Sequence, residues 1–282
     1  MQAAEREALA FHLSQPRYEV VPVPGIEDEV AAHVPRGLKV TVTASPRRGL
    51  DATLDTAEEL ARRGYHVAPH LSARLVRDEG ELREILARVR EAGLTDAFVV
   101  AGDLDQPGGA YESAVDLLRA MDELGHGLAH VGITGYPESH PVIPDRTAIE
   151  AMDEKAPYAT YIVSQVCFDP ATIVSWVRAV RARGVGLPID IGIPGVASRA
   201  KLLRIARRIG VGDSLRFLGK RRGWLAQLLT RSGYDPAPIV AGLAPLLPDP
   251  AARIAGFHVY TFNEVEATER WRREALERLD AV

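Results

Sequence analysis

Cysteine is almost missing from this chain: Cys167 stands alone among 282 residues. An internal disulfide is therefore excluded, and a thiolate metal cluster, which needs several sulfurs, has no ligands to draw on. Flanked by Val166 and Phe168, the one thiol reads as a core packer rather than a nucleophile. An excess of positive charge is missing too, since the formal net charge is −4 and Lys220-Arg221-Arg222 is too short a basic run to reverse it. No nucleic acid partner is expected. No apolar stretch is long enough to span a bilayer, and the opening MQAAEREALAF lacks the charged-then-apolar order of a signal peptide. The expectation is a cytoplasmic protein with no membrane partner. Glycine fingerprints of GxGxxG or P-loop form are absent, which removes the simplest argument for an open dinucleotide-binding sheet.

What is present is enough apolar residue to bury one large core, 46% of the chain against 26% charged. The stretch Asp96–Gly109 sets the pattern for the rest. A short apolar run stops at Gly102-Asp103 and a Gly/Pro turn follows, as a parallel strand buried on both faces would end. Gly102 would allow close backbone approach to a ligand, and Asp103 would be delivered to a strand end. Seven further strand candidates share this grammar: Tyr18–Val23, Leu38–Thr43, Tyr65–His70, Leu128–Thr134, Tyr161–Gln165, Leu187–Ile193 and Gly256–Tyr260. Helical patterns alternate with them. Glu79–Ala92 is the clearest, with Leu82, Ile85, Leu86 and Val89 at three-and-four spacing. A helix is read at about Tyr111–Leu124, Pro170 suits the first turn of the helix after the sixth strand, and Ser198 suits the cap of a helix Arg199–Ile209. Residues 211–249 read as helical with proline breaks. Eight βα units predict an α/β protein, a single-domain (β/α)8 TIM barrel over residues 18–282 preceded by a helical segment at 1–17.

The polar residues at these strand ends form ordered blocks. Gly135-Tyr136-Pro137-Glu138-Ser139-His140-Pro141 resembles the aromatic-Pro-Glu-x-His-Pro block of the methylenetetrahydrofolate reductase family. Ala68-Pro69-His70-Leu71 is similar to its APHL strand end, Ser164-Gln165-Val166-Cys167-Phe168-Asp169 to its TQxxFD, and Tyr260-Thr261-Phe262-Asn263 to its YTLN. Tyr18-Glu19-Val20-Val21-Pro22 falls where the family has FEFFPP. Five blocks in one order cover most of the chain.

This resemblance implies a barrel that passes hydride to 5,10-methylenetetrahydrofolate to give 5-methyltetrahydrofolate, with FAD normally relaying it from NADH or NADPH. It assigns Glu19 as the general acid. Asp103, Gln165 and Tyr260 become substrate contacts. Thr41, His70, Gly102, Asp103, Tyr136, His140 and Lys155 become the cofactor side. Each has a plainer reading when taken alone: Glu19 as a solvent-facing strand residue, Asp103 as a helix N-cap, Gln165 as a satisfied polar group in the barrel. His66 and His70 share a strand face, but no third ligand has metal-like spacing, so no metal is expected.

Departures from the family pattern bear on the cofactor. Its Arg-Gly-Asp is here Ala101-Gly102-Asp103, and alanine supplies neither charge nor donors for the FAD diphosphate. Asp153 and Glu154 stand where basic and amide groups are usual, and Lys155 lies one residue out of register with Gln165. A nicotinamide dinucleotide handing hydride straight to the folate, without FAD, is the expected chemistry. The ordinary FAD-dependent reductase and an inactive folate-binding paralogue are the alternatives.

Overall fold

The computed structural model describes residues 1–138, 145–198, 201, 229–230 and 233–281. Parallel strands β1 (Arg17–Val20), β2 (Lys39–Val42), β3 (His66–Ser72), β4 (Asp96–Val100), β5 (His130–Gly135), β6 (Tyr161–Ser164), β7 (Ile189–Pro194) and β10 (Ile254–Tyr260) close into a barrel in the order β1-β10-β7-β6-β5-β4-β3-β2. The predicted (β/α)8 class is therefore correct. Contacts divide the chain into two compact units, one of Arg17–Thr134 with Ala151–Ile162, the other of Met1–Pro16, Gly135–Glu150 and Val163–Val282.

In the first unit, helices α2 (Ile26–His33), α3 (Gly49–Arg62), α4 (Glu79–Glu91) and α5 (Ala114–Glu123) alternate with the strands. The α4 stripe is as predicted: Leu82, Ile85, Leu86 and Val89 are buried, and Asp78 caps the helix by accepting from Glu81 N at 2.9 Å. α5 starts at Ala114, later than its apolar pattern indicated, because Ser113 and Asp116 form a reciprocal capping box there. Asp103 is therefore not the cap of this helix. β1 stops at Val20, short of the predicted Val23, since Pro22 and Pro24 have no N–H to give a ladder. Val40, Val42, Val67, Leu54, Ala57 and Leu60 are all buried between strands and helices. Each larger aliphatic side chain among them contributes about 1.5–3 kcal/mol.

In the second unit, α1 (Ala3–Ser14) lies against β10 and against the last helix, α9 (Val265–Asp280). The buried pair Glu269–Arg272 ties this junction, and Arg272 also donates to Leu13 O at 3.1 Å. α6 (Asp145–Lys155) precedes β6, and α7 (Pro170–Ala182) begins as predicted, with Pro170 in its first turn and Asp169 accepting from Ala171 N. Ser198 accepts from Lys201 N at 3.3 Å, in keeping with a cap. The helical reading of 211–249 is corrected in its described part. An antiparallel pair, β8 (Leu229–Thr230) and β9 (Gly233–Tyr234), precedes α8 (Ala237–Leu243), and Tyr234 bridges to Ala197. A buried aromatic held by backbone pairing outweighed local helix preference. The helix read at 199–209 lies outside the described residues. No helix among those described is long and apolar enough to cross a membrane.

Candidate active site

In the first unit the strand registers decide which side chains meet. Glu19 pairs with Thr41 and Thr41 with Ala68, while His70 pairs with Phe98. Paired residues in a parallel sheet face the same way, and residues two apart share a face. Glu19, Thr41 and His70 therefore stand together, with Tyr18, Val20, Val40 and Val42 on the opposite, helix-covered face. One level below, Arg17 and Asp96 form an ion pair at 3.0 Å. Tyr161 donates to the same carboxylate at 2.8 Å, with the Arg17 guanidinium 4.6 Å over its ring. This plug closes the floor beneath Glu19.

Glu19 is thus a nearly buried acid and not a solvent-facing strand residue, its side chain being 13% exposed. Burial raises its pKa from 4.5 to about 7, against the opposing pull of His70. His70 Nε2 lies 3.5 Å from Glu19 Oε2, and its ring is tilted against Phe98 with centroids 4.8 Å apart. The hydroxyl of Thr41, on a residue 1% exposed, has no hydrogen-bond partner among the described residues. A protonatable carboxyl next to an unspent hydroxyl on the neighbouring strand is an arrangement suited to a ligand.

Asp103 lies exposed in the loop after β4. Arg74 organises that loop, donating from Nη1 to Leu104 O at 2.6 Å and from Nε to Glu112 O at 2.9 Å. Gly102 has φ +98°, and a Cβ there would collide with Ser72 Oγ. Its glycine is thus required by conformation and by a protein neighbour. Lys155 is buried at 4% exposure, with Nζ 3.0 Å from Thr134 Oγ1 and 3.4 Å from Thr134 O. Burial lowers its pKa from 10.5 to about 8. Asp153 and Glu154 are exposed, and Glu154 reaches Arg119 at 3.4 Å.

In the second unit Gln165 follows β6, its N–H donating to Gly135 O at 2.7 Å and its Oε1 accepting from Val166 N at 3.1 Å. Tyr260 donates its hydroxyl to Ser164 O at 3.0 Å, and its ring stacks on Phe262. Gly192 makes this crossing possible: a Cβ would overlap Ser164 O and approach Tyr260 Cε2 within 2.8 Å. Gly192 N also donates to Ser164 Oγ at 2.8 Å. Ser164, Gly192, Phe98 and Thr134 were not singled out from sequence, because small or apolar residues carry no local signal of a role that pairing alone gives them. Tyr136 follows β5 half-buried, and His140 lies outside the described residues. Cys167 is a buried packer, as predicted, with Sγ 3.3 Å from Glu138 Oε1 and a thiol pKa pushed up by burial.

Fold and side chains together define a (β/α)8 protein with a buried, protonatable acid on its first strand. A family model for methylenetetrahydrofolate reductase matches residues 24–216, well over half of the chain. The chain belongs to the methylenetetrahydrofolate reductase family. The matched stretch takes in Thr41, His70, Gly102, Asp103, Tyr136, His140, Lys155 and Gln165, and leaves Glu19 and Tyr260 outside it.

Among curated relatives, methylenetetrahydrofolate reductase 2 of Saccharomyces cerevisiae is 29% identical over 103 residues, 35% of this chain and 17% of that one. A probable methylenetetrahydrofolate reductase (NADPH) of Caenorhabditis elegans is 30% identical over 130 residues, 43% and 19%. Methylenetetrahydrofolate reductase 1 of Schizosaccharomyces pombe is 30% identical over 139 residues, 45% and 22%. The alignments thus span about a fifth of the length of these relatives. A solved structure of an uncharacterized Clostridium thermocellum protein that binds two copies of 5-methyl-5,6,7,8-tetrahydrofolic acid superposes with TM-score 0.61. It covers 97% of this chain and 99% of that one at 11% identity, a likeness of fold alone.

Proposed function

We propose that this protein reduces 5,10-methylenetetrahydrofolate to 5-methyltetrahydrofolate, taking hydride directly from NADH or NADPH. The observation that carries the reading is Glu19, a carboxyl held near neutrality on β1 within 3.5 Å of His70. The imidazolidine ring must open to an electrophilic iminium before hydride adds, and opening requires a proton on the departing nitrogen. An acid with a pKa near 7 is still protonated at neutral pH and still strong enough to give that proton up. Hydride from the nicotinamide then completes the methyl group. The net change is one hydride and one proton gained by the folate and one hydride lost by the dinucleotide.

FAD fits the described residues poorly. Its diphosphate needs cationic donors, yet Ala101 replaces the family's Arg, Arg74 commits Nε and Nη1 to two carbonyls, and Lys155 is buried on Thr134. No step is routed through a flavin here. A nicotinamide dinucleotide must leave after every turnover, so modest affinity suffices. Asp103, Gln165 and Tyr260 are proposed as folate contacts, with Thr41, His70, Gly102, Tyr136, His140 and Lys155 on the dinucleotide side. The Tyr260 hydroxyl is committed to Ser164 O, so its ring is the part offered. The reaction is assigned to the cytoplasm, where folates and nicotinamide dinucleotides are dissolved.

The test is NADH oxidation by the purified protein with and without methylenetetrahydrofolate, no flavin being added, and transfer of label from deuterated NADH to the product methyl group. Folate-dependent oxidation with direct label transfer is expected. A protein that purifies yellow with stoichiometric FAD, or label washed out through an exchangeable position, would overturn direct transfer. Folate binding without turnover would identify a binding paralogue.

A further inference from the structure

We propose that Tyr234 is a further contact for the folate: its phenolic O–H donates to a carbonyl oxygen in the uncharged part of that substrate, the pterin ring or the benzamide. The inference rests on the reductase reading above and adds to Gln165 and Tyr260 a residue that lies outside the barrel strands.

Tyr234 is 3% exposed, and its hydroxyl, shut off from solvent, has no hydrogen-bond partner among the described residues. A buried phenol ordinarily finds one. The neighbours explain why this one does not. Phe168 meets the ring edge-on, with centroids 5.6 Å apart, and offers no acceptor. The thiol of Cys167 is directed at Glu138 Oε1, 3.3 Å away. Asp235 commits Oδ1 to Trp271 Nε1 at 3.1 Å and to Ala237 N at 2.9 Å.

Backbone contacts set where the ring stands. Tyr234 N donates to Ala197 O at 2.9 Å, and Asp235 is fastened by the two bonds just given. Ala197 follows β7, while Cys167 and Phe168 follow β6. The ring therefore lies at the end of the barrel where Gln165 leaves β6 and where Tyr260, the last residue of β10, donates to Ser164 O. All of these residues belong to the second unit. The anchors leave the ring its own two side-chain torsions, and a shift past the edge of Phe168 presents the hydroxyl to a ligand.

Charge selects the part of the substrate. Burial, then Asp235 and Cys167, push the phenol pKa well above 10, so the group is a neutral donor at physiological pH. Asp235, and Glu138 against the Cys167 thiol, disfavour an incoming carboxylate, and no arginine or lysine among the described residues acts on the phenol. The glutamate end of a folate is thus a poor fit. A carbonyl of the pterin or the benzamide accepts the bond without bringing charge. Since the hydroxyl gives up no earlier partner, its bond to substrate counts nearly in full.

The experiment compares the parent with Tyr234→Phe, which removes one oxygen and keeps the ring. Thermal melting is followed without ligand. Binding of 5-methyltetrahydrofolate, and of 6-methyltetrahydropterin, which lacks the benzamide and glutamate, is measured by calorimetry, and turnover with NADH is assayed alongside. The variant is expected to melt about 2–4 °C higher, because an unpaired buried hydroxyl has been deleted. It should nevertheless bind the folate about ten- to hundredfold more weakly. KM for methylenetetrahydrofolate should rise by a similar factor, with kcat within about threefold. Equal weakening of the tetrahydropterin places the acceptor on the pterin, and a loss confined to the full folate places it on the benzamide. A lower melting temperature would mean that the hydroxyl is already satisfied in the free protein, and unchanged folate affinity would mean that it stays unused; either result overturns the proposal. Folate binding that weakens as expected in a protein with no reductase activity would keep the contact and overturn the reductase reading instead. A parent that binds no folate would overturn both.

Discussion

Replacing Glu19 by Gln keeps the shape of the side chain and removes its ionisation, so it measures what burial of this carboxyl costs. The pKa of Glu19 rises from 4.5 to about 7 in the folded chain. Between those values the folded state holds a proton that the unfolded state has released, so stability falls as pH rises from about 4.5 through about 7 and then levels off. At about 1.4 kcal/mol per tenfold change in acidity, the whole fall attributable to this residue is about 3 kcal/mol. The amide carries no such dependence. The unfolding free energy of Glu19→Gln minus that of the parent should therefore grow by about 3 kcal/mol between pH 4 and pH 8, read from urea titrations at fixed ionic strength. The same variant should lose roughly two orders of magnitude or more in turnover, the usual scale for a general acid. More stable and inactive is the combined signature of a destabilised functional group. A stability difference that stays flat with pH would show that Glu19 is hydrated, and the argument for its acid role would fall with it.

Lys155 has the opposite sign. Its pKa is lowered from 10.5 to about 8, so the unfolded chain binds the extra proton and stability should rise between pH 8 and 10.5, a rise that Lys155→Met abolishes in urea titrations. Asp103 is exposed, so Asp103→Ala should change stability by less than about 0.5 kcal/mol while weakening folate binding in calorimetry; unchanged binding would remove it from the site. Gln165→Ala should weaken folate binding by about 1–3 kcal/mol, measured in the same way. Gly102→Ala should destabilise by about 1–3 kcal/mol, and Ser72→Gly in the same chain should return part of that, since Ser72 Oγ is the atom in the way.

Much of this architecture was legible because it is periodic. Alternating short apolar runs and three-and-four helical stripes reported eight βα units, and Ser198 was readable as a cap since capping is local chemistry. Segment ends were less legible where prolines or a capping box moved them, as at Pro22 and Ser113. The hairpin before α8 was misread, because its strands are two residues long and are held by Ala197, far off in sequence.

The candidate site divides along the same line. Residue type and order named Glu19, His70, Asp103 and Gln165, for a carboxylate or imidazole at a strand end is visible in one dimension. That Glu19 is protonatable near neutrality was not visible, since Tyr18-Glu19-Val20 reads equally as an edge strand facing water. Only the closed barrel, which sets Glu19 beside Thr41 and within reach of His70 above the Arg17–Asp96 floor, takes the carboxyl out of water. Desolvation is a property of everything around a group, supplied here by four different strands. The sequence determines which groups exist and on which strands they ride, while the register between strands decides which of them stand together.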